Sequence, residues 1–144
     1  MNTRQKIVET ARGYIDTPFA HMQRKPGLGI DCAGVLVCVA RALQLVPQDF
    51  DVPDYTPVPD GRSMLEWCNK YMRAVSRMDM QAGDAIVVIT DKHPQHLAIL
   101  GDYRHGGFSI IHAANTASPP RVIETRLLFS RSQRFVAAYS LPGV

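Results

Sequence analysis

The sequence has 144 residues, 46% of them hydrophobic and 20% charged, and a formal net charge of +3. This composition is typical of a globular domain with its own core and excludes a disordered chain. No apolar run is long enough to span a membrane, and no apolar signal segment follows the first residues, so we expect synthesis in the cytoplasm without a signal peptide. The scattered basic residues favour neither nucleic acid nor a membrane as a partner. Three cysteines without a CxxC pair argue against a disulfide framework and against a structural zinc site.

The first half of the chain carries the apolar spacing of helices. Helices are predicted over residues 2–15, from 32 to about 45, and from 63 to about 76. Capping-box patterns begin the first and third of them. The glycine-, proline- and aspartate-rich stretches 19–30 and 47–62 are predicted to be loops.

The second half changes to the two-residue period of strands. The predicted strands cover residues 84–90, 95–102, 107–113, 121–127 and 134–141. Helices followed by a run of strands predict an α+β fold with an antiparallel sheet. Because no repeat or domain boundary interrupts the chain, residues 1–144 are predicted to form a single domain.

Cys32 is predicted to lie in the first turn of the second helix, with Asp31 as the N-cap. Unpaired backbone N–H groups and the positive end of the helix dipole lie near such a position, and they are expected to lower the pKa of the thiol. Most free cysteines are buried apolar residues, and Cys32 alone would be interpreted in that way. The histidines downstream favour a nucleophile instead.

His96 begins one predicted strand and His112 ends the next. If these strands pair about a turn at residues 103–106, residue numbers across the ladder sum to about 208 or 209, which places His96 opposite His112 or its neighbour. Side chains opposed on one face have Cβ atoms about 4.5–5.5 Å apart. One imidazole can then take the proton of Cys32 while the other orients it. Two solvated histidines, or a zinc site formed with Cys32, are the alternatives.

Several segments, in chain order, resemble motifs of the NlpC-type cysteine peptidases of the NlpC and p-sixty superfamily. The segment Asp31-Cys32-Ala33-Gly34 resembles the nucleophile motif Asp-Cys-Ser-Gly, and similar likenesses occur at 17–19, 83–87, 95–101 and 111–113. The resemblance runs to about residue 127. It implies a papain-like α+β fold, in which the nucleophile helix packs on a central antiparallel β-sheet.

Residue by residue, the resemblance implies that Cys32 is the nucleophile, His96 the general base and His112 the group that orients His96. It implies no cofactor and no metal. The remaining candidates, for substrate binding or for an oxyanion site at the helix start, are Asp31, Ala33, Phe19 and His21.

The candidate site departs from the family pattern at two positions. Ala33 replaces the usual serine, a change that should matter little to the chemistry. Phe19 replaces a tyrosine whose hydroxyl assists near the nucleophile. His21, two residues further on, is a candidate to supply a donor in its place.

Members of the family typically cleave peptidoglycan stem peptides between D-γ-glutamate and diaminopimelate, which implies that substrate here. Residues 17–34 look most like short forms coded among phage and prophage tail genes. Phage tail proteins are therefore expected partners, and the expected place of action is a virion tail, the cell wall or the periplasm. Two other interpretations are a structural tail-tip or tail-assembly protein with a vestigial site, and an amidase or acyltransferase on the same fold.

Overall fold

The computed structural model describes residues 1–57, 60, 62–90 and 93–144, with only the backbone at 93 and 94. This part of the chain forms an α+β fold, as the sequence predicts. In chain order its elements are α1 (Thr3–Arg12), β1 (Arg24–Lys25), β2 (Gly29–Ile30), α2 (Cys32–Ala42), α3 (Ser63–Tyr71), β3 (Arg73–Val75), β4 (Ala85–Thr90), β5 (His93–Asp102), β6 (Phe108–Ala114), β7 (Arg121–Arg126) and β8 (Gln133–Ser140). None of these described helices is long and apolar enough to cross a membrane.

The larger sheet has six strands in the order β3-β8-β4-β5-β6-β7, and every neighbouring pair is antiparallel. The last strand, β8, therefore lies between β3 and β4. The five predicted strands are confirmed, each with ends within two residues of the expected ones. The short strands β1 to β3 were not predicted, because two or three residues are too few to show a period.

The helices are shorter than their patterns predict. The capping box of Asn2 and Gln5 is present at the start of α1. The capping box predicted for α3 is wrong, because the side chain of Asp60 accepts the N–H groups of Arg62 and Ser63 instead, each at 2.8 Å. The prediction of helix as far as residue 76 is also wrong, because residues 73–75 pair with β8.

Two apolar clusters cover the two faces of the six-stranded sheet. The first packs the three helices against one face and includes Val87 of β4 and Ile99 of β5. The second lies on the other face and includes Val88, Leu100 and Ile110. Side chains alternate along a strand, so odd-numbered residues of β5 face the helices and even-numbered residues face the second cluster. This alternation decides on which side of the sheet the histidines lie.

Candidate active site

The helix α2 begins at Cys32 because Asp31 caps it. The backbone of Asp31 is extended, and its side chain accepts the N–H of Gly34 at 2.8 Å. Only glycine fits at position 34, since a Cβ there would lie 2.7 Å from Cγ1 of Ile30 and 2.8 Å from the carbonyl oxygen of Gln23. The start of α2 is thereby packed tightly against the β1–β2 hairpin, which holds Cys32 in place.

The environment of the Cys32 thiol differs from the predicted one. Burial raises its pKa to about 11, and the carboxylate of Asp31 acts in the same direction. Hydrogen bonds from the backbone N–H groups of Leu97, Ala33 and Cys32 itself lower that pKa, but by less. The predicted lowering is therefore wrong, because the helix start supplies N–H donors whose effect burial outweighs. With a pKa of about 11, the thiol keeps its proton at neutral pH.

The pairing of β5 with β6 differs from the predicted register. It runs from Asp102↔Phe108 to Ile99↔Ile111, so residue numbers sum to 210 and not to 208 or 209. The loop is longer than predicted, because Gly107 has a positive φ of 76° and stays outside the strand. Continued by one residue, this register places His112 opposite residue 98, diagonal to His96. Because the sum is even, the two histidines still share one face of the sheet.

The two imidazoles meet along this diagonal. Nε2 of His96 lies 2.6 Å from Nδ1 of His112, with the rings at 79° to one another. On the far side, Nε2 of His112 lies 3.2 Å from the hydroxyl oxygen of Thr125 on β7. When each histidine donates from Nε2, His96 donates to His112 and His112 to Thr125, and Nδ1 of His96 is then the basic nitrogen. His96 and His112, which the sequence predicts to be neighbours, are thus in contact in the structure.

The Cys32 thiol lies beside the backbone of β5, next to His96. Cys32 packs on the helix side of the sheet, whereas the alternation of side chains puts His96, which pairs with Val88, on the side of the second cluster. In the described part of the chain, no register pair joins the two strands beyond Ile99↔Ile111. The N–H of Leu100 points to β4, where it donates to Asp84. By the alternation of antiparallel strands, the N–H of residue 97 points into the gap towards β6. This N–H, one residue after His96, lies near enough to the Cys32 sulfur to lower the pKa of its thiol.

An open cavity of about 550 Å³ lies in front of Cys32. All four candidates for substrate or oxyanion binding line it together with Cys32, namely Phe19, His21, Asp31 and Ala33. His96 and His112 are not among the residues that line it. The rest of the lining comes from the loop before α3, from α3 and from β5, through Tyr55, Thr56, Pro57, Asp60, Ser63, Met64, Trp67 and Gln95.

His21 does not point its donor at the nucleophile, as the sequence had suggested it could. Its Nε2 lies 3.0 Å from the carbonyl oxygen of Tyr55, so it ties the long loop to the segment before α2. Its Nδ1 lies 4.0 Å from the carboxylate of Asp31. Phe19 is half-buried and lends the cavity only apolar surface. The hydroxyl that Phe19 lacks is therefore not replaced by His21 in this structure.

Three residues that the sequence did not single out belong to the site. Arg24 and Tyr55 both bind the carboxylate of Asp31, and Thr125 binds His112. Sequence patterns cannot find such contacts, since the partners lie between 7 and 24 residues apart and on different elements. Within the described residues, no group of three or more histidine, cysteine or acidic side chains could hold a metal ion.

The fold can be compared with solved structures. The NlpC/p60 domain of the peptidoglycan hydrolase SagA is 25% identical over 98% of this chain and 100% of that one, with a TM-score of 0.60. A lipoprotein-like protein of the NLP/P60 family from Staphylococcus aureus is 19% identical, with a TM-score of 0.59; the match covers 99% of this chain and 42% of that one. An N-acetylmuramoyl-L-alanine amidase from Bacteroides uniformis is 9% identical over 97% of this chain and 99% of that one, with a TM-score of 0.55.

The sequence matches no protein-family model and no curated protein. The structural likeness nevertheless extends over nearly the whole chain and over all of the SagA domain. The order of elements agrees with it, since α2, which begins at Cys32, precedes and packs on an antiparallel sheet. The chain therefore has the fold of the NlpC/p60 domain.

Proposed function

We propose that this protein is a cysteine peptidase that hydrolyses peptidoglycan stem peptides between D-γ-glutamate and diaminopimelate. One observation carries the proposal. Cys32, at the start of α2, lies beside the backbone of β5 at Leu97, the residue after His96, and His96 is hydrogen-bonded to His112. The similarity to SagA, which is a peptidoglycan hydrolase, supports the substrate class. The likeness of the sequence motifs to the NlpC-type peptidases supports the choice of bond.

In the proposed mechanism, Nδ1 of His96 takes the thiol proton as the sulfur of Cys32 attacks the peptide carbonyl carbon. The row from His96 through His112 to Thr125 holds the imidazole in the tautomer that accepts this proton. Backbone N–H groups at the start of α2 stabilise the tetrahedral oxyanion. His96 then gives the proton to the leaving amine as the C–N bond breaks. Water, deprotonated by His96, hydrolyses the thioester and restores the thiol.

The test is digestion of the tripeptide L-alanyl-γ-D-glutamyl-diaminopimelate and of purified peptidoglycan fragments, with products identified by mass spectrometry. We expect release of diaminopimelate by the wild-type protein and no release by Cys32→Ala, whose circular dichroism spectrum should be unchanged. Hydrolysis retained by Cys32→Ala would overturn the mechanism.

The same digestion separates the other interpretations. Cleavage between muramic acid and L-alanine would identify an amidase and overturn the proposed bond. Transfer of the acyl group to an added amine, in place of hydrolysis, would identify an acyltransferase. No turnover of any fragment would favour a structural tail protein with a vestigial site.

We further propose that the protein acts at the cell wall as part of a phage or prophage tail. The likeness of residues 17–34 to short tail-associated forms supports this location. Purified virions or tail particles should then contain the protein, detected by an antibody and by peptide mass spectrometry. Its absence from particles that digest peptidoglycan would contradict the proposal and leave the peptidase activity untouched.

A further inference from the structure

The side chain of Arg24 connects the cap of the nucleophile helix to the long loop before α3. It is only 9% exposed. Its Nη1 lies 2.9 Å from Oδ1 of Asp31, and its Nη2 lies 2.9 Å from the hydroxyl of Tyr55. The same guanidinium contacts Asp51, with Nη2 3.1 Å from Oδ1. A nearly buried arginine with two carboxylates and a phenol as partners has a defined geometry, unlike an exposed ion pair.

The carboxylate of Asp31 is the charged group next to the nucleophile in the sequence, and its side chain is only 3% exposed. Besides Arg24, it accepts the N–H of Met22 at 2.7 Å, the N–H of Gly34 at 2.8 Å and the hydroxyl of Tyr55. These three donors are neutral, so they satisfy the oxygens without cancelling the charge. Arg24 is the cation that lies in hydrogen-bonding contact with this carboxylate.

The charge of Asp31 matters because of what lies beside it. A negative charge near a thiol opposes its ionisation, and the carboxylate of Asp31 acts on Cys32 in this direction. Solvent and salt screen the interaction between neighbouring charges only weakly in a buried site. Without Arg24, the same carboxylate would oppose formation of the thiolate more strongly.

We propose that Arg24 is a positioning residue of this site, which neutralises Asp31 so that the adjacent Cys32 can lose its proton, and which anchors residues 51–55 beside the cavity. This inference rests on the proposed role of Cys32 as the nucleophile. It gives Arg24 of the β1–β2 hairpin a role in setting the reactivity of the Cys32 thiol. Arg24 acts through Asp31 and does not touch the reacting atoms.

Other titratable groups face Asp31 and Cys32 from the elements around them. They are His21 from the preceding loop, Asp51, Tyr55 and Asp60 from the long loop, Cys68 from α3 and His96 from β5. Of these, His21 is the one other potential cation near the carboxylate, at 4.0 Å and with its side chain 34% exposed. A partly exposed imidazole at this distance cannot replace the permanent charge of Arg24.

The experiment measures the rate of Cys32 alkylation by iodoacetamide between pH 7 and 9.5, followed on the Cys32 peptide by mass spectrometry. The variants are Arg24→Gln, Arg24→Lys, Asp31→Asn and the double variant Arg24→Gln/Asp31→Asn. Lys25→Gln is the matched control, since it removes an exposed cation from the same strand, β1. We expect Arg24→Gln to slow alkylation about tenfold at each pH, which corresponds to a pKa raised by about one unit.

We expect the double variant to regain most of the wild-type rate, because it has neither charge of the pair. Arg24→Lys should lie near the wild type, and Lys25→Gln should match it. A purely structural role would slow Arg24→Gln and the double variant alike, or Arg24→Lys as much as Arg24→Gln, and either result would overturn the proposal. No substrate is used, so this outcome is independent of which peptide bond the protein cleaves.

Discussion

Nε2 of His96 lies 2.6 Å from Nδ1 of His112, although the register of β5 and β6 sets the two residues on a diagonal. Diagonal neighbours on one face have Cα atoms about 7–8 Å apart, a gap that two rings can bridge and shorter side chains cannot. The contact therefore depends on both residues being imidazoles or comparably long. It makes His112 the group on which the tautomer of His96 depends.

Replacement of His112 should reduce hydrolysis without unfolding the protein. We expect His112→Ala to lower kcat/KM for the tripeptide about 100-fold, because His96 loses the acceptor that orients it. His112→Gln should keep more activity than His112→Ala, since its amide oxygen can accept from Nε2 of His96. Thr125→Ser should behave as the wild type, while Thr125→Val should lose activity. Equal kinetics for His112→Ala and the wild type would contradict the assigned role.

The thiol of Cys32 should lose its proton only at high pH. Burial, followed by the carboxylate of Asp31, raises its pKa to about 11, so the rate of alkylation should still rise with pH through the range 7–9.5. At pH 7 the rate should be roughly 100-fold below that of an unhindered thiol, whose pKa is about 8.5. His96→Ala should change this profile little while abolishing hydrolysis. A plateau of fast alkylation below pH 7 would show instead a preformed thiolate–imidazolium pair.

Gly34 should not tolerate a side chain. A Cβ at this position would lie 2.7 Å from Cγ1 of Ile30 and 2.8 Å from a backbone oxygen of Gln23. We expect Gly34→Ala to lower the free energy of unfolding by about 1–3 kcal/mol in urea titrations, as overpacking does. Gly13→Ala is the control, because Gly13 has a helical φ of −64°. A Cβ at Gly13 would lie 3.2 Å from the carbonyl oxygen of Thr10, so the control should change the free energy of unfolding less than Gly34→Ala does. If Gly34→Ala were as stable as the control, the β1–β2 hairpin would have to move to make room for the added Cβ.

The ion pair between Arg12 and Glu124 should make stability depend on pH. Burial raises the pKa of Glu124, but hydrogen bonds from Arg12 and Ser109 outweigh it and hold that pKa below its usual value of 4.5. A carboxyl with a lowered folded-state pKa contributes stability above pH 4.5, and the contribution is lost as the pH falls through the folded-state value.

The variant Glu124→Gln isolates this contribution from that of the other carboxyl groups. In urea unfolding, the wild type should exceed Glu124→Gln in stability at pH 7, and the difference should shrink at pH 3. Ser109 should lower the pKa of Glu124 less than Arg12 does. Ser109 donates one neutral hydrogen bond at 2.5 Å, whereas the charged guanidinium of Arg12 donates from two nitrogens at 3.0 Å. A difference that is the same at both pH values would show that the charge of Glu124 is not the cause.

Three features could be predicted from the sequence alone, namely the α+β class, the five long strands and the position of Cys32 at a helix start. Each of these depends on local chemistry, namely a two-residue period, a helical period and the capping preference of Asp31. The sequence also predicted that His96 and His112 share one face of the sheet. Both residue numbers are even, and an even register sum pairs even-numbered residues with one another.

Three other properties could be known only from the assembled fold. They are the register of β5 and β6, the direction of the pKa shift of Cys32, and the contacts of Arg24, Tyr55 and Thr125. The register depended on a glycine that stays in the loop at φ 76°. The pKa depended on how deeply the packing of α2 against the sheet buries the sulfur. The partners of Asp31 and His112 come from other elements of the chain. Burial and long-range pairing are properties of the assembled fold, and no local pattern encodes them.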